Sequence, residues 1–296
     1  LRPLPRWLGV AFLLAIAITF GSNHIAARVA FDHGTSVATA VAFRAAGTAL
    51  ALAAVLGALR IPLGLTPATL GRTAAIGILI AIQSYCLYSS VARIPAALAL
   101  LAFNTFPMLY ALLSAAAGME RLSRRALLAM PAALFGLALA LDVVGGADKL
   151  SARWAEIGAG ASFSLAASLC FAAVLFVSAR WLHGVDGRVR SGVINAVVAL
   201  VVLGVGASAG QLALPADGTG WTGLLLLTLL YGSGITALFM LHPRLASASD
   251  VVALNFEPIA VLFLGWAILG QALAPRQIVG AVVVIGAIIA LGTAKR

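Results

Sequence analysis

The sequence predicts an all-α polytopic membrane protein in which ten transmembrane helices form an inverted repeat of two five-helix units. Three observations lead there. The first is composition: of 296 residues, 62% are hydrophobic and 9% charged, with mean hydropathy +1.09, whereas soluble domains are about a quarter charged. The second is a stretch that occurs twice. Arg93 to Pro107 reads RIPAALALLAFNTFP, and Arg244 to Pro258 reads RLASASDVVALNFEP. At a constant offset of 151 residues (244 less 93), Arg93 falls on Arg244, Ala102 on Ala253, Asn104 on Asn255 and Pro107 on Pro258. Further along, Leu122 falls on Leu273 and Arg125 on Arg276. The third is the placement of charge. The net +10 does not cluster with aromatics on one face, which argues against a nucleic-acid partner. It lies between apolar runs, where Lys and Arg set orientation in a bilayer.

In chain order, apolar runs long enough to span a bilayer, about 20 residues each, fall at 7–30, 36–59, 72–92, 96–118 and 125–143. They resume at 154–179, 190–210, 220–241, 247–269 and 275–293. The first follows Arg2 and Arg6 and contains Ala15-Ile16-Ala17, which imitates a signal peptide. Its apolar character continues past Gly-Ser-Asn-His to Ala30, and the repeat needs it, so it is expected to be a helix. Thr66-Pro67 reads as an N-cap followed by proline at the first helical position. Pro62, Gly64, Pro95, Asp217-Gly218 and Pro275 punctuate other connections. The break between units is expected at Gly145 to Lys149, giving repeats over 1–146 and 147–296. Cys86 and Cys170 lie in apolar runs and read as packing residues, with no metal-ligand spacing around them.

An odd number of helices per unit forces the second to enter from the opposite side. With the amino terminus cytoplasmic, 13 Lys and Arg fall on that side, 5 on the other, and Arg44 remains inside. Both termini are therefore expected in the cytoplasm. Thirty glycines and abundant alanine suit helices that associate by close packing in lipid.

Each copy of the repeated stretch puts an asparagine and then a proline inside an apolar run. Proline removes a backbone donor and frees a carbonyl one turn earlier, and in lipid such groups need protein or cavity water. Pro107 and Pro258 are expected to kink or gate their helices, and interrupted helices in matching halves point to a transporter's binding site. Ionisable groups within spans are costly and mark function when they are not paired for structure. Glu257, between Asn255 and Pro258, could bind an amine, carry a proton or brace a neighbour. Arg44 is expected to be a structural intramembrane charge bracing helices, with a substrate carboxylate as the alternative. His24, preceded by Asn23, is a proton-relay candidate or a satisfied interior histidine. Gln83, Tyr85 and Tyr88, Ser164 and Ser168, and Tyr231 and Thr236 are mid-helix polar groups. Phe103, Phe106, Phe239 and Phe256 supply apolar walls. Gly206 to Gly210 matches G-x-S-x-G, but the nucleophile elbow needs a strand-turn-helix that this chain does not offer. No metalloprotease, phosphate-loop or dinucleotide motif occurs, so neither an enzyme nor a cofactor is expected.

Phe20 to Arg28 (FGSNHIAAR) with Ala42 to Arg44 (AFR), Asn104 to Pro107 ending in GMERL, and NFEP ending in LGQAL together resemble EamA domains of the drug/metabolite transporter superfamily. The resemblance covers essentially the whole chain as two units, and within the superfamily the chain looks most like YddG-type exporters of aromatic amino acids. It implies ten helices and a central cavity lined mainly by helices one, three, four, six, eight and nine. Glu120 matches the acidic residue that ends the family's fourth helix, but its second-half counterpart is Gln271, which puts any role needing both acids in doubt. A deep cation at Arg44 alone speaks against strongly anionic cargo such as nucleotide sugars.

These readings converge on a bacterial inner-membrane exporter of small amphiphilic metabolites, aromatic or other apolar amino acids, working by alternating access as a monomer. The expected substrate-binding set is Asn23, His24, Gln83, Tyr85, Tyr88, Phe103, Asn104, Ser168, Tyr231, Phe239, Asn255 and Glu257. The alternative is a proton-coupled multidrug or organic-cation exporter. More distant are a membrane scaffold or an intramembrane hydrolase built on Ser208.

Overall fold

The computed structural model describes residues 6–118, 124–140, 147–181, 186–241, 256–270 and 274–292. Among them the chain is wholly α-helical: α1 Arg6–Asp32, α2 Val37–Ala58, α3 Pro67–Arg93, α4 Ala96–Phe103, α5 Phe106–Ala116, α6 Arg124–Ala140, α7 Ala147–Trp181, α8 Gly187–Ser208, α9 Gly218–Leu241, α10 Glu257–Leu269 and α11 Pro275–Gly292. Six of these are long and apolar enough to cross a membrane, and shorter apolar helices lie at Ala96–Tyr110, Pro131–Ala140, Glu257–Leu269 and Pro275–Ala287. Burial is inverted relative to a soluble protein. Leu50, Leu128 and Leu200 are more than 70% exposed while Asn23 and Arg44 are 2% exposed, the distribution expected when the surrounding solvent is hydrocarbon.

Local chemistry explains the starts. Ser36 and Thr66 accept hydrogen bonds from the backbone N–H of Thr39 and Thr69, capping α2 and α3, and Pro67 opens α3. Asp186 accepts from the N–H of Arg188 at α8, and Asp217 from that of Gly220 at α9. Two spans depart from expectation. The run at 96–118 is two helices, because Pro107 cannot donate to the carbonyl one turn earlier and its ring crowds that turn. α7 begins at Ala147, so Ala147, Asp148 and Lys149 lie inside the helix rather than in a polar connection. The second copy of the repeated stretch is described only from Phe256, and α10 begins at Glu257.

The starts repeat along the chain. α3 begins at Pro67 and α9 at Gly218, α5 at Phe106 and α10 at Glu257, α6 at Arg124 and α11 at Pro275; each pair is 151 residues apart, the offset of the sequence repeat. Packing follows the same exchange: α3 lies along α7 as α1 lies along α9, while α2 pairs with α8 and α6 with α11. Helices from the two halves are therefore interleaved rather than side by side.

Two cores result. One surrounds α4, whose residues Ala96 to Ala102 are all buried among α1, α3, α6, α7, α10 and α11. The other joins α1, α2, α3, α8 and α9. Two glycines set the approach of α1. A Cβ at Gly223 would stand 2.8 Å from the backbone nitrogen of Ala30, and one at Gly21 would stand 3.2 Å from Ala260 and Val261. At one end of the bundle the α1–α2 turn is stitched to the α8–α9 connection. The Ser36 N–H donates to the Ala213 carbonyl at 3.1 Å and the Ala216 N–H to the His33 carbonyl at 2.9 Å. The Ala213 N–H donates to the hydroxyls of Ser36 and Thr39, and His33 Nδ1 pairs with Asp217 Oδ2 at 2.7 Å. The backbone N–H of Gly220 and the pairing with His33 hold the Asp217 carboxyl below the usual carboxylate range.

Candidate functional site

Five helices bring the deep ionisable groups together. The close approach that Gly21 permits places His24, one turn further along α1, beside the start of α10, and His24 Nε2 stands 3.2 Å from Glu257 Oε1. His24 is buried and its Nδ1 has no hydrogen-bond partner; the Glu257 side chain is 20% exposed. On α3, Tyr88 is fully enclosed. Asn23 Nδ2 donates to its hydroxyl at 2.8 Å, the His24 ring packs 5.6 Å away, and Phe31 meets it edge-on at 6.1 Å. Arg44 on α2 reaches the same ring from the other direction, its guanidinium carbon 4.9 Å from the Tyr88 centroid and 3.7 Å from that of Tyr231 on α9. Arg44 Nη2 donates to Ser84 Oγ at 2.7 Å, and Ser84 Oγ donates on to Gln83 Oε1 at 3.3 Å. Glu257, His24, Tyr88, Arg44 and Tyr231 thus form one continuous line through α10, α1, α3, α2 and α9.

The broken helix builds a second, uncharged group. Asn104 Nδ2 donates to the Leu100 carbonyl at 2.8 Å and Thr105 Oγ1 to that of Ala102 at 2.8 Å. Thr105 Oγ1 also meets Ser168 Oγ of α7 at 2.9 Å, and Ser164 Oγ donates to the Ala99 carbonyl. Side chains therefore satisfy carbonyls at the end of α4, as an interrupted helix in lipid requires. Beside the break, Phe106 meets Phe171 at 4.8 Å in a T-shaped pair and Phe103 lies 5.4–5.5 Å from both.

Among the expected site residues, Asn23, His24, Tyr88, Tyr231 and Glu257 converge, with Gln83 joined through Ser84. Asn104, Ser168 and Phe103 belong to the helix break instead. Tyr85 points elsewhere: its hydroxyl donates to Gln211 Oε1 at 3.1 Å in the α8–α9 connection. Pro258 is buried in the first turn of α10, and Pro107 lies in the first turn of α5. Asn255, Glu120 and Gln271 lie outside the described residues, and the Phe239 side chain is likewise outside them. Ser84, Thr105 and Phe171 were not singled out from sequence; the signal for Ser84 was the polar run Gln83-Ser84-Tyr85 inside an apolar helix. Ser208 is exposed and bonds to its own helix, its hydroxyl donating to the Val205 carbonyl, so nothing there is built as a nucleophile. Among the described residues no cluster of His, Cys, Asp and Glu could hold a metal ion, and both cysteines are free.

Residues 158–293 match the model of the EamA-like transporter family. An EamA-like domain of the drug/metabolite transporter type is therefore present in the chain, and members of that family are transporters rather than enzymes. No curated protein matches the sequence. Solved structures do: one crystal structure aligns with TM-score 0.63 at 19% identity, covering 98% of this chain and 98% of its own, a likeness of fold. The molecule is a multi-pass helical membrane protein that carries an EamA-like domain over residues 158–293.

Proposed function

We propose that the chain is a secondary transporter exporting small amphiphilic metabolites, aromatic and other apolar amino acids foremost, across a bacterial inner membrane. On this reading ten helices form two inverted EamA units, 1–146 and 147–296, with both termini cytoplasmic and the monomer sufficient. The constant 151-residue spacing of matching helix starts and the exchange-symmetric pairing of helices support that frame. The two units would rock about a midplane site, exposing it to each side in turn. The resemblance to YddG-type exporters supports the choice of cargo.

The observation that carries the reading is the Glu257–His24 pair. It sits beside Tyr88, where the start of α10 meets α1. A carboxylate next to aromatic surface in an apolar bundle can hold an ammonium group while the rings take an apolar side chain. Glu257, His24, Asn23, Tyr88 and Tyr231 form the inner set; Asn104, Ser168 and Phe103 shape the adjoining wall, with Gln83, Phe239 and Asn255 completing the proposed lining and Tyr85 left out of it. Counterflow of labelled phenylalanine and threonine into liposomes tests it: saturable exchange that Glu257→Gln abolishes supports the carrier, and no exchange of any amino acid by folded protein overturns it.

The His24–Glu257 pair also favours one competing reading, a proton-coupled exporter of organic cations with Glu257 as the coupling acid. Cation efflux that strictly requires a pH gradient, with amino acids inert, would select it.

A further inference from the structure

Among the described residues at the centre, Arg44 leaves the most hydrogen-bonding capacity unused, two guanidinium nitrogens against the single Nδ1 of His24. Arg44 is 2% exposed, yet its Nε and Nη1 have no hydrogen-bond partner. Its Nη2 donates to Ser84 Oγ, and among the described residues no carboxylate stands within ion-pair distance of it. The helices around it carry none to offer: α2, α3 and α9 contain no Asp or Glu. The two tyrosine rings lie near its carbon, at 3.7 Å for Tyr231 and 4.9 Å for Tyr88, and still leave Nε and Nη1 without an acceptor. A buried cation in this condition is destabilising, because removing an ion from water costs several kcal/mol that only a partner repays. Arg28 shows what a purely structural arginine looks like in the same bundle: its side chain reaches Asp32 and the carbonyls of Val91 and Ala92.

We infer that Arg44 is the carboxylate-binding group of the transport site, its free N–H groups taking the two oxygens of a carboxylate-bearing substrate while Tyr88 and Tyr231 lie beside the guanidinium. This revises the expectation that Arg44 only braces helices. It rests on the proposed transport reading and deepens it, because the line from Arg44 across Tyr88 to Glu257 then offers a cation for the acid end of a zwitterion and an anion for the amine end. Planar bidentate recognition of that kind is what arginine does and lysine does not. The substrate class is thereby narrowed to amphiphiles with a carboxylate, and simple organic cations are excluded.

The test uses the full chain in liposomes exchanging labelled phenylalanine, challenged with equal excesses of 3-phenylpropionate, phenethylamine and phenylalaninamide. The expected result is competition by phenylpropionate and at least tenfold weaker competition by the two compounds lacking a carboxylate, the loss of about one charge-assisted interaction. Phenethylamine competing as well as phenylalanine overturns the inference, and this arm needs no variant to fold. Arg44→Gln should abolish exchange and Arg44→Lys restore part of it; full exchange by Arg44→Gln also overturns it. If wild-type protein exchanges no amino acid, the transport reading falls separately. Melting shifts then decide: aryl carboxylates stabilising the wild type but not Arg44→Gln uphold the carboxylate site, and no shift with any carboxylate removes it.

Discussion

The starts of α5 and α10 occupy matching places and have opposite chemistry. α5 starts at Phe106 and α10 at Glu257, 151 residues apart, each one residue before a proline. At the first, Phe106 faces α7 and closes an aromatic cluster with Phe103 and Phe171. At the second, Glu257 faces α1 and meets His24. His24 itself matches Leu175 of α7 at the same offset, so the ionisable residues that meet at α10 correspond to apolar residues at α5 and α7. Both starts lie at the same offset, and side-chain identity makes one an aromatic cluster and the other an ionisable pair. The difference teaches that in this bundle the spacing of helix starts recurs while the chemistry at them does not.

Substitutions can break that contrast or sharpen it. The largest effect is expected from Glu257→Gln, which keeps shape and removes charge: phenylalanine counterflow should fall at least tenfold, with the protein still monodisperse by size exclusion. Next is Phe106→Glu, which puts a carboxylate among rings with no imidazole opposite. An unpaired intramembrane acid costs about 3 kcal/mol, so the melting midpoint should drop sharply, and adding Leu175→His should recover part of the loss. If the double variant is no better than the single, the two starts are not geometrically equivalent. Thr105→Val removes the hydroxyl that serves both the Ala102 carbonyl and Ser168; the expected cost is about 1–2 kcal/mol of stability with exchange retained. The smallest effect is at the stitched turns. Asp217 titrates below the usual carboxylate range, so its contribution is complete above the ordinary carboxylate pKa and is lost as pH falls through its lowered one. Asp217→Asn should lower the melting midpoint slightly at neutral pH and make no difference once the wild-type carboxyl is protonated, in a melting series run down to about pH 3.

How far the sequence reaches can be seen residue by residue. The offset linking Asn104-x-x-Pro107 to its second copy foretells the matching helix starts, because proline and capping residues act locally. It does not foretell that α4 stops outright at Phe103, since whether a proline kinks or breaks a helix depends on whether Asn104, Thr105 and Ser164 can serve the freed carbonyls, and Ser164 comes from another helix. Glu257 was visible as a mid-span acid, but its partner His24 lies 233 residues away (257 less 24). Arg44 was read as a brace on the strength of its length and depth; its missing partners emerge only when α2, α3 and α9 are packed and none brings a carboxylate. Tyr85 was placed with Tyr88 by proximity in the chain, yet its hydroxyl follows the other side of α3 to Gln211. Sequence spacing locates the polar groups along each helix, and tertiary packing decides which of them meet.

The stitch between the α1–α2 turn and the α8–α9 connection also sets a bias. Any movement parting those helices at that end must give up the bonds at Ser36, Ala213 and Ala216 together with the His33–Asp217 pair. These interactions favour the arrangement in which the two turns stay joined. In a carrier that moves as proposed, a handful of backbone groups at the rim, far from the apolar centre, would hold this end shut until cargo or ions tip the balance.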